Sequence, residues 1–291
     1  MLSAKNIQLI ECPRDAMQGW ERFIPTQKKI NYINALLKVG FDTIDFGSFV
    51  SPKAIPQMAD THEVIRQLKV EDSGTKLLAI VANLRGAEDA VLHENISYLG
   101  FPFSISPSFQ QRNTNSSMEE SLELVEEMQN LCIKNQRELV VYISMAFGNP
   151  YGDPYDEAIA MEWFDKMVQM DIGIISMADT VGLASPQQVG SILGTIIPRY
   201  PETIIGAHLH STPVNWKAKI DAALNAGCTR FDGALKGIGG CPMAGDELVG
   251  NMDTELMVPY FNQLNLLPTL DMNALHECSR MAGELFAPGL Y

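Results

Sequence analysis

Short runs of β-branched and aliphatic residues alternate with longer stretches of helical periodicity along most of this chain. That alternation is the pattern of parallel strands joined by crossover helices, because a parallel pair cannot be closed by a tight turn. Strand-like runs fall at 7–11, 43–46, 76–81, 103–106, 139–144, 172–176, 203–208 and 229–232. Helical candidates lie between them at 26–39, 61–68, 87–95, 117–135, 155–169, 186–197 and 216–226, with 253–262 after the last strand. Eight such units in about 250 residues is the allotment of a (β/α)8 TIM barrel. The expectation is an α/β chain forming a single TIM-barrel domain over 1–291, with the barrel from about 6 to 262 and a short C-terminal helical extension over 263–291. An open doubly wound sheet is the rival. It is disfavoured because no glycine fingerprint follows the first strand and the spacing runs evenly to an eighth.

Composition narrows the function. A net charge of −14 argues against a nucleic-acid or anionic-membrane binder, since neither polyanion is drawn to that average field. The five cysteines form no CxxC pair, which suits reduced thiols in a cytoplasmic compartment. No basic-then-apolar leader and no apolar run of spanning length is visible, so a cytoplasmic location without a membrane span is expected.

In a barrel, functional side chains gather at the C-terminal ends of strands and in the loops that follow. Those places hold Arg14 and Asp15, Asp45 and Ser48, Ser144, Asp179 and Thr180, His208 and His210, then Cys241 and Asn251. His208 and His210 are two apart at a strand end and so point the same way. A paired set of imidazoles can grip one metal ion, or can simply be hydrogen-bonded near the strand end. Asp15 adds a hard oxygen ligand and Asn251 an amide oxygen, a set that favours Mg²⁺ or Mn²⁺ over a thiolate zinc site. The plainer alternatives are a cap or turn carboxylate for Asp15 and ordinary turn chemistry for Gly250-Asn251. Arg14 can stabilise an enolate or alkoxide oxygen, or make a surface salt bridge. The glycine-rich stretch 236–244 presents one thiol, Cys241, which serves either as an acid/base on a mobile flap or as an inert cysteine. Cys12, Cys132, Cys228 and Cys278 read as packing.

Five segments carry a more specific resemblance: Glu11-Cys12-Pro13-Arg14-Asp15-Ala16-Met17-Gln18, Ser48-Phe49-Val50-Ser51-Pro52-Lys53, Ala178-Asp179-Thr180-Val181-Gly182, His208-Leu209-His210, and Gly237-Ile238-Gly239-Gly240-Cys241-Pro242 with Gly250-Asn251. In these the chain resembles the hydroxymethylglutaryl-CoA lyases, metal-dependent TIM-barrel enzymes. The resemblance implies Asp15, His208, His210 and Asn251 as ligands of Mg²⁺ or Mn²⁺, with Glu11 and Gln18 supporting them. It implies catalytic roles for Arg14 (enolate stabilisation), Cys241 (proton transfer), Asp179 (support), His208 and Asp45. The implied reaction is a retro-Claisen-type cleavage of 3-hydroxy-3-methylglutaryl-CoA to acetyl-CoA and acetoacetate. The implied partner is an acyl-CoA, with Lys53 and Arg112 as candidate contacts for its phosphates. A homodimer through the outer helices is expected from barrels in general.

The substrate region departs from the family pattern. Asp45 stands where the family has Glu, Ser211 where it has a carboxylate, and Val140 or Val141 where an arginine is expected in strand five. Unmet polar partners change specificity strongly. Two alternatives therefore stand beside the lyase reading: a related metal-dependent aldolase or acyl-CoA lyase acting on another 3-hydroxy-acyl or 2-oxo acid substrate, and a metal-binding barrel without turnover.

Overall fold

The computed structural model describes residues 6–240 and 249–287. Eight parallel strands close into a barrel: β1 (Gln8–Glu11), β2 (Thr43–Ser48), β3 (Lys76–Ile80), β4 (Ile96–Ser104), β5 (Glu138–Ser144), β6 (Ile174–Ala178), β7 (Ile204–His208) and β8 (Arg230–Gly233), with β8 paired back onto β1. Around it run α1 (Pro13–Gln18), α2 (Thr26–Leu36), α3 (Thr61–Ile65), α4 (Leu84–Val91), α5 (Pro107–Thr114), α6 (Met118–Lys134), α7 (Glu157–Gln169), α8 (Pro186–Arg199), α9 (Trp216–Asn225), α10 (Thr254–Gln263) and α11 (Met272–Leu285). The expected (β/α)8 architecture is what forms. Helix α11, within the expected C-terminal extension, packs against α2 on the outside of the barrel. Among the described residues, no helix is long and apolar enough to cross a membrane.

Local chemistry explains why the helices begin where they do. Ser117 accepts from the Glu120 backbone while the Glu120 carboxylate bonds back, and Ser185 with Gln188 repeats the device. Each N-cap contributes about 1 kcal/mol by satisfying otherwise unpaired N–H groups. The inward face of α6 carries Ser121, Val125, Met128 and Cys132, a helical stripe that seals against the sheet. Burying each large apolar side chain of this kind contributes roughly 1.5–3 kcal/mol. A second, smaller apolar cluster lies on the strands alone: Leu78, Ile80, Tyr98, Val140, Tyr142 and Ile174.

Three local expectations change. The fourth strand runs from Ile96 to Ser104 and not over 103–106; Gly100 and Pro102, residue types uncommon inside strands, sit within a strand covered on both faces. Such a strand has no polar alternation to reveal it. Residues 107–114, outside every expected helix, form α5, begun by Pro107 and capped by the Ser106 hydroxyl accepting from Phe109 N. Residues 13–18 form a short helix, which fixes Arg14, Asp15 and Gln18 on one turn.

Candidate metal centre at the barrel mouth

A cavity of about 710 Å³ opens at the C-terminal ends of the strands and is lined by Arg14, Asp15, Gln18, Asp45, Ser144, Thr180, His208 and His210 among others. Strand β1 delivers Asp15 through α1, and β7 delivers His208 with His210 just beyond it. One ligand-type atom from each of Asp15, His208 and His210 lies within 4.8 Å of the other two. Asn251 arrives by a different route. The 249–252 stretch pairs with the chain after β7: Ser211 N donates to Gly250 O at 3.0 Å and Met252 N to Leu209 O at 3.2 Å. Asn251 thereby stands opposite His210 and donates through Nδ2 to Asp15 Oδ2 at 2.7 Å and to Ile238 O at 2.9 Å. Gly239, at φ +119°, presses on this group; a Cβ there would stand 2.2 Å from Asn251 Nδ2. Only glycine takes that torsion and that approach together.

The donor set suits a hard divalent ion. It offers a carboxylate, two imidazoles and an amide without thiolate. His210 Nδ1 is buried with no hydrogen-bond partner among the described residues, the condition of a ligand atom aimed at something else. Burial, then the neighbouring His208, pulls His210 down to about 4, so its imidazole is neutral and able to ligate at pH 7. Burial also lowers His208, but the hydrogen bond and charge of Asp232 outweigh it and leave that group raised. His208 Nδ1 lies 3.0 Å from Asp232 Oδ2, which leaves Nε2 as the nitrogen available to a ligand. Burial pushes Asp15 up; Arg14, both histidines and the Asn251 amide outweigh it and hold the carboxyl below its ordinary value.

Arg14 is clamped between two carboxylates. Its Nε and Nη2 donate to Asp45 Oδ2 at 3.0 and 2.6 Å, and Nη1 reaches Asp15 Oδ1 at 3.1 Å and Gln18 Oε1 at 2.8 Å. Gln18 closes the ring by donating to Asp15 Oδ1 at 2.6 Å. Asp45 is pushed up to about 6 by burial, with Arg14 opposing.

Other expected residues lie further out. Asp179 does not line the cavity. It is buried, accepts from Lys219 Nζ at 2.7 Å and from Ala184 N at 3.0 Å, and is linked to the site through Lys219, which also donates to His210 O at 2.7 Å. Among the described residues, Glu11 is hydrogen-bonded to none of the four ligand candidates. It accepts from Leu235 N at 2.8 Å and Thr254 Oγ1 at 2.6 Å, anchoring both ends of the excursion that carries Asn251. Burial pushes its carboxyl up to about 8 against those two hydrogen bonds. Arg112 stands at the cavity rim, its guanidinium 4.5 Å from the Tyr151 ring centre, whereas Lys53 is exposed and outside the lining. Ser211 turns its hydroxyl to Met252 Sδ at 3.3 Å. Cys241 lies outside the described residues.

Sequence reasoning did not single out Asp232 or Lys219. Lys219 had a signal: with Trp216, Ile220 and Ala223 it occupies the i, i+3, i+4, i+7 stripe of α9, where a cation is out of place unless buried with a partner. Cys12, read as packing, is buried but lies within reach of His208 and Asp232.

The HMGL-like family model matches residues 6–282. The chain belongs to the HMGL-like family. It is 32% identical to the hydroxymethylglutaryl-CoA lyase YngG of Bacillus subtilis, covering 94% of this chain and 90% of that protein. It is 31% identical to the (R)-citramalyl-CoA lyase of Chloroflexus aurantiacus, covering 90% and 85% respectively. Among solved structures, the Bacillus subtilis HMG-CoA lyase superposes with a TM-score of 0.91 at 31% identity, covering 100% of this chain and 97% of that one. The Acinetobacter baumannii HMG-CoA lyase in complex with coenzyme A and 3-methylmalate superposes at 0.90, with 30% identity over 98% of this chain and 93% of that one. This HMGL-like chain is thus matched over nearly its whole length by carbon–carbon lyases.

Proposed function

We propose that this HMGL-like protein is a divalent-metal-dependent lyase that cleaves 3-hydroxy-3-methylglutaryl-CoA to acetyl-CoA and acetoacetate. The observation that carries the reading is the convergence of Asp15, His208 and His210 within 4.8 Å beside an Arg14 held on Asp45. Asp15, His208, His210 and Asn251 would hold Mg²⁺ or Mn²⁺. A bound ion supplies Lewis acidity toward the substrate's 3-hydroxyl oxygen. Arg14, oriented by Asp45 and Gln18, is placed to hold the thioester oxygen as the C2–C3 bond breaks and its electron pair passes into the enolate. Asp45, pushed up to about 6, is the group tuned to accept the hydroxyl proton near neutral pH. Cys241 returns a proton to C2. Arg112 at the rim is the candidate contact for the phosphates of coenzyme A. A homodimer and a cytoplasmic location belong to the same proposal, tested by sedimentation and by fractionation of cells.

The purified protein with Mg²⁺ or Mn²⁺ should release acetoacetate from hydroxymethylglutaryl-CoA, and a chelator should stop it reversibly. A second reading, a lyase for another 3-hydroxy-acyl-CoA, is favoured by the citramalyl-CoA relative and by the apolar side chains of Ile80, Pro102 and Tyr142 along the far wall of the cavity. Cleavage of that second class of thioester without acetoacetate release would select it. Cys241→Ser should leave metal bound and cut the rate by about 10²-fold; parent rates in that variant would remove the thiol from the mechanism.

A further inference from the structure

One register line crosses four strands below the metal corner. Tyr142 on β5 pairs with Ser176 on β6, Ser176 with Gly206 on β7, and Gly206 with Arg230 on β8. Residues paired across a sheet share a face, and Tyr142 lines the cavity, so this face looks into the barrel. Two residues further along each strand, His208 and Asp232 share the same face.

The stretch holds an unusual amount of unmet polarity. Arg230 is 1% exposed, and neither its Nε nor its Nη2 has a hydrogen-bond partner among the described residues. Asp232 Oδ1, Ser176 Oγ and Tyr142 OH are buried and unpartnered in the same way. The nearest ion-pair contact of Arg230 is loose, Nη1 to Asp42 Oδ1 at 3.9 Å, and the Tyr98 ring lies 5.9 Å away. Space for the arginine comes from Gly206, where a Cβ would stand 2.6 Å from Ser176 Oγ and 3.2 Å from Arg230 Cδ. A buried guanidinium is tolerated only when its donors are met, and buried water is the usual means where polar groups face one another without touching. Above this group, the other oxygen of Asp232 holds His208 Nδ1 at 3.0 Å.

We propose that Arg230, with Ser176 and Tyr142, holds a cluster of buried water inside the barrel that fixes Asp232, and that Asp232 in turn fixes the ring of His208. Arg230 is then a positioning residue two steps from the metal centre. The inference rests on the reading of His208 as a ligand. Without the cluster, Asp232 is free to turn, and His208 loses the bond that keeps its proton on Nδ1 and its Nε2 lone pair available.

The test uses the full chain, ¹⁵N-labelled at histidine, in four forms: parent, Arg230→Met, Arg230→Lys and Asp42→Asn. Mn²⁺ affinity is read by electron paramagnetic resonance, and the His208 tautomer by NMR of the metal-free protein. Arg230→Met should weaken Mn²⁺ binding about tenfold, as loss of an outer-sphere partner does, and mix the two tautomers. Arg230→Lys should recover part of both, and Asp42→Asn should match the parent. Parent-like affinity and tautomer in Arg230→Met would overturn the inference, as would Asp42→Asn reproducing the defect, which would make Arg230 half of a structural ion pair. A parent that binds no Mn²⁺ would count against the proposed function instead, and the tautomer readout would still decide on Arg230. Should Arg230→Met fail to fold, Ser176→Ala takes its place, with about threefold weaker binding expected and unchanged binding as the refuting result.

Discussion

Two walls of the same cavity are built on opposite principles. The wall from α1 after β1, from β2 and β7 and from the 249–252 stretch is a polar circuit in which Asp45, Arg14, Gln18, Asp15 and Asn251 bond in sequence and His208 is held from behind by Asp232 on β8. The wall from β3 to β5 presents Ile80, Pro102 and Tyr142, and among the described residues Tyr142 OH meets no partner. The first wall fixes groups in place before any substrate arrives, which is what electrostatic catalysis requires. The second supplies shape through Ile80 and Pro102, while the Tyr142 hydroxyl belongs to the proposed water cluster beneath Asp232. Under the proposed function the difference separates chemistry from specificity: the polar wall would run the reaction, and the apolar wall and loops would choose the acyl group.

The largest test of this contrast removes a ligand candidate from the polar wall. His210→Ala should abolish Mn²⁺ binding and lower turnover by about 10³-fold or more, an effect of several kcal/mol; retained metal stoichiometry would refute the ligand role. Next is the support behind that wall. Lys219→Met leaves Asp179 buried and unpaired, so urea unfolding should show a loss of about 3–5 kcal/mol, and adding Asp179→Asn should recover part of it. No loss in the single variant would mean that the pair does not hold the His210 backbone.

Glu11 gives a pH-dependent test. Folded, its carboxyl keeps its proton up to about pH 8, whereas unfolded it ionises near its ordinary value of 4.5. Between those values the folded protein binds the extra proton, so stability falls as pH rises, by up to ~1.4 kcal/mol per unit. The contribution is complete below 4.5 and lost above 8. Glu11→Gln should flatten that decline in melting temperature; an unchanged slope would exclude Glu11 as its source. The smallest effect belongs to the apolar wall, where Ile80→Val should cost about 0.5–1.5 kcal/mol of stability and leave Mn²⁺ affinity at the parent value. A change in metal affinity there would break the distinction between the walls.

The residues that could be read from sequence share one property: their backbone position alone determines their direction. His208 and His210 face one way because strand side chains alternate, and Asp15 follows a strand end. Asp232, Arg230 and Lys219 sit within a strand or helix, where the sequence does not say which partner a charged residue meets, even when, as for Lys219, the helical stripe places it on the buried face. Their roles depend on what stands opposite, and for Lys219 that is Asp179, 40 residues earlier. Strand four was misplaced because a strand buried on both faces has no period to detect.

Periodicity and spacing by themselves determined the barrel and the direction of the paired imidazoles, because both follow from backbone geometry repeated along the chain. Only the tertiary structure decided that Asp179 lies outside the cavity on Lys219, that Glu11 bonds to both ends of the Asn251 excursion, and that a buried arginine lies within the barrel beneath Asp232. Those facts depend on contacts between residues far apart in the chain, whose cost or benefit is set by burial and by the partner each charged group finds.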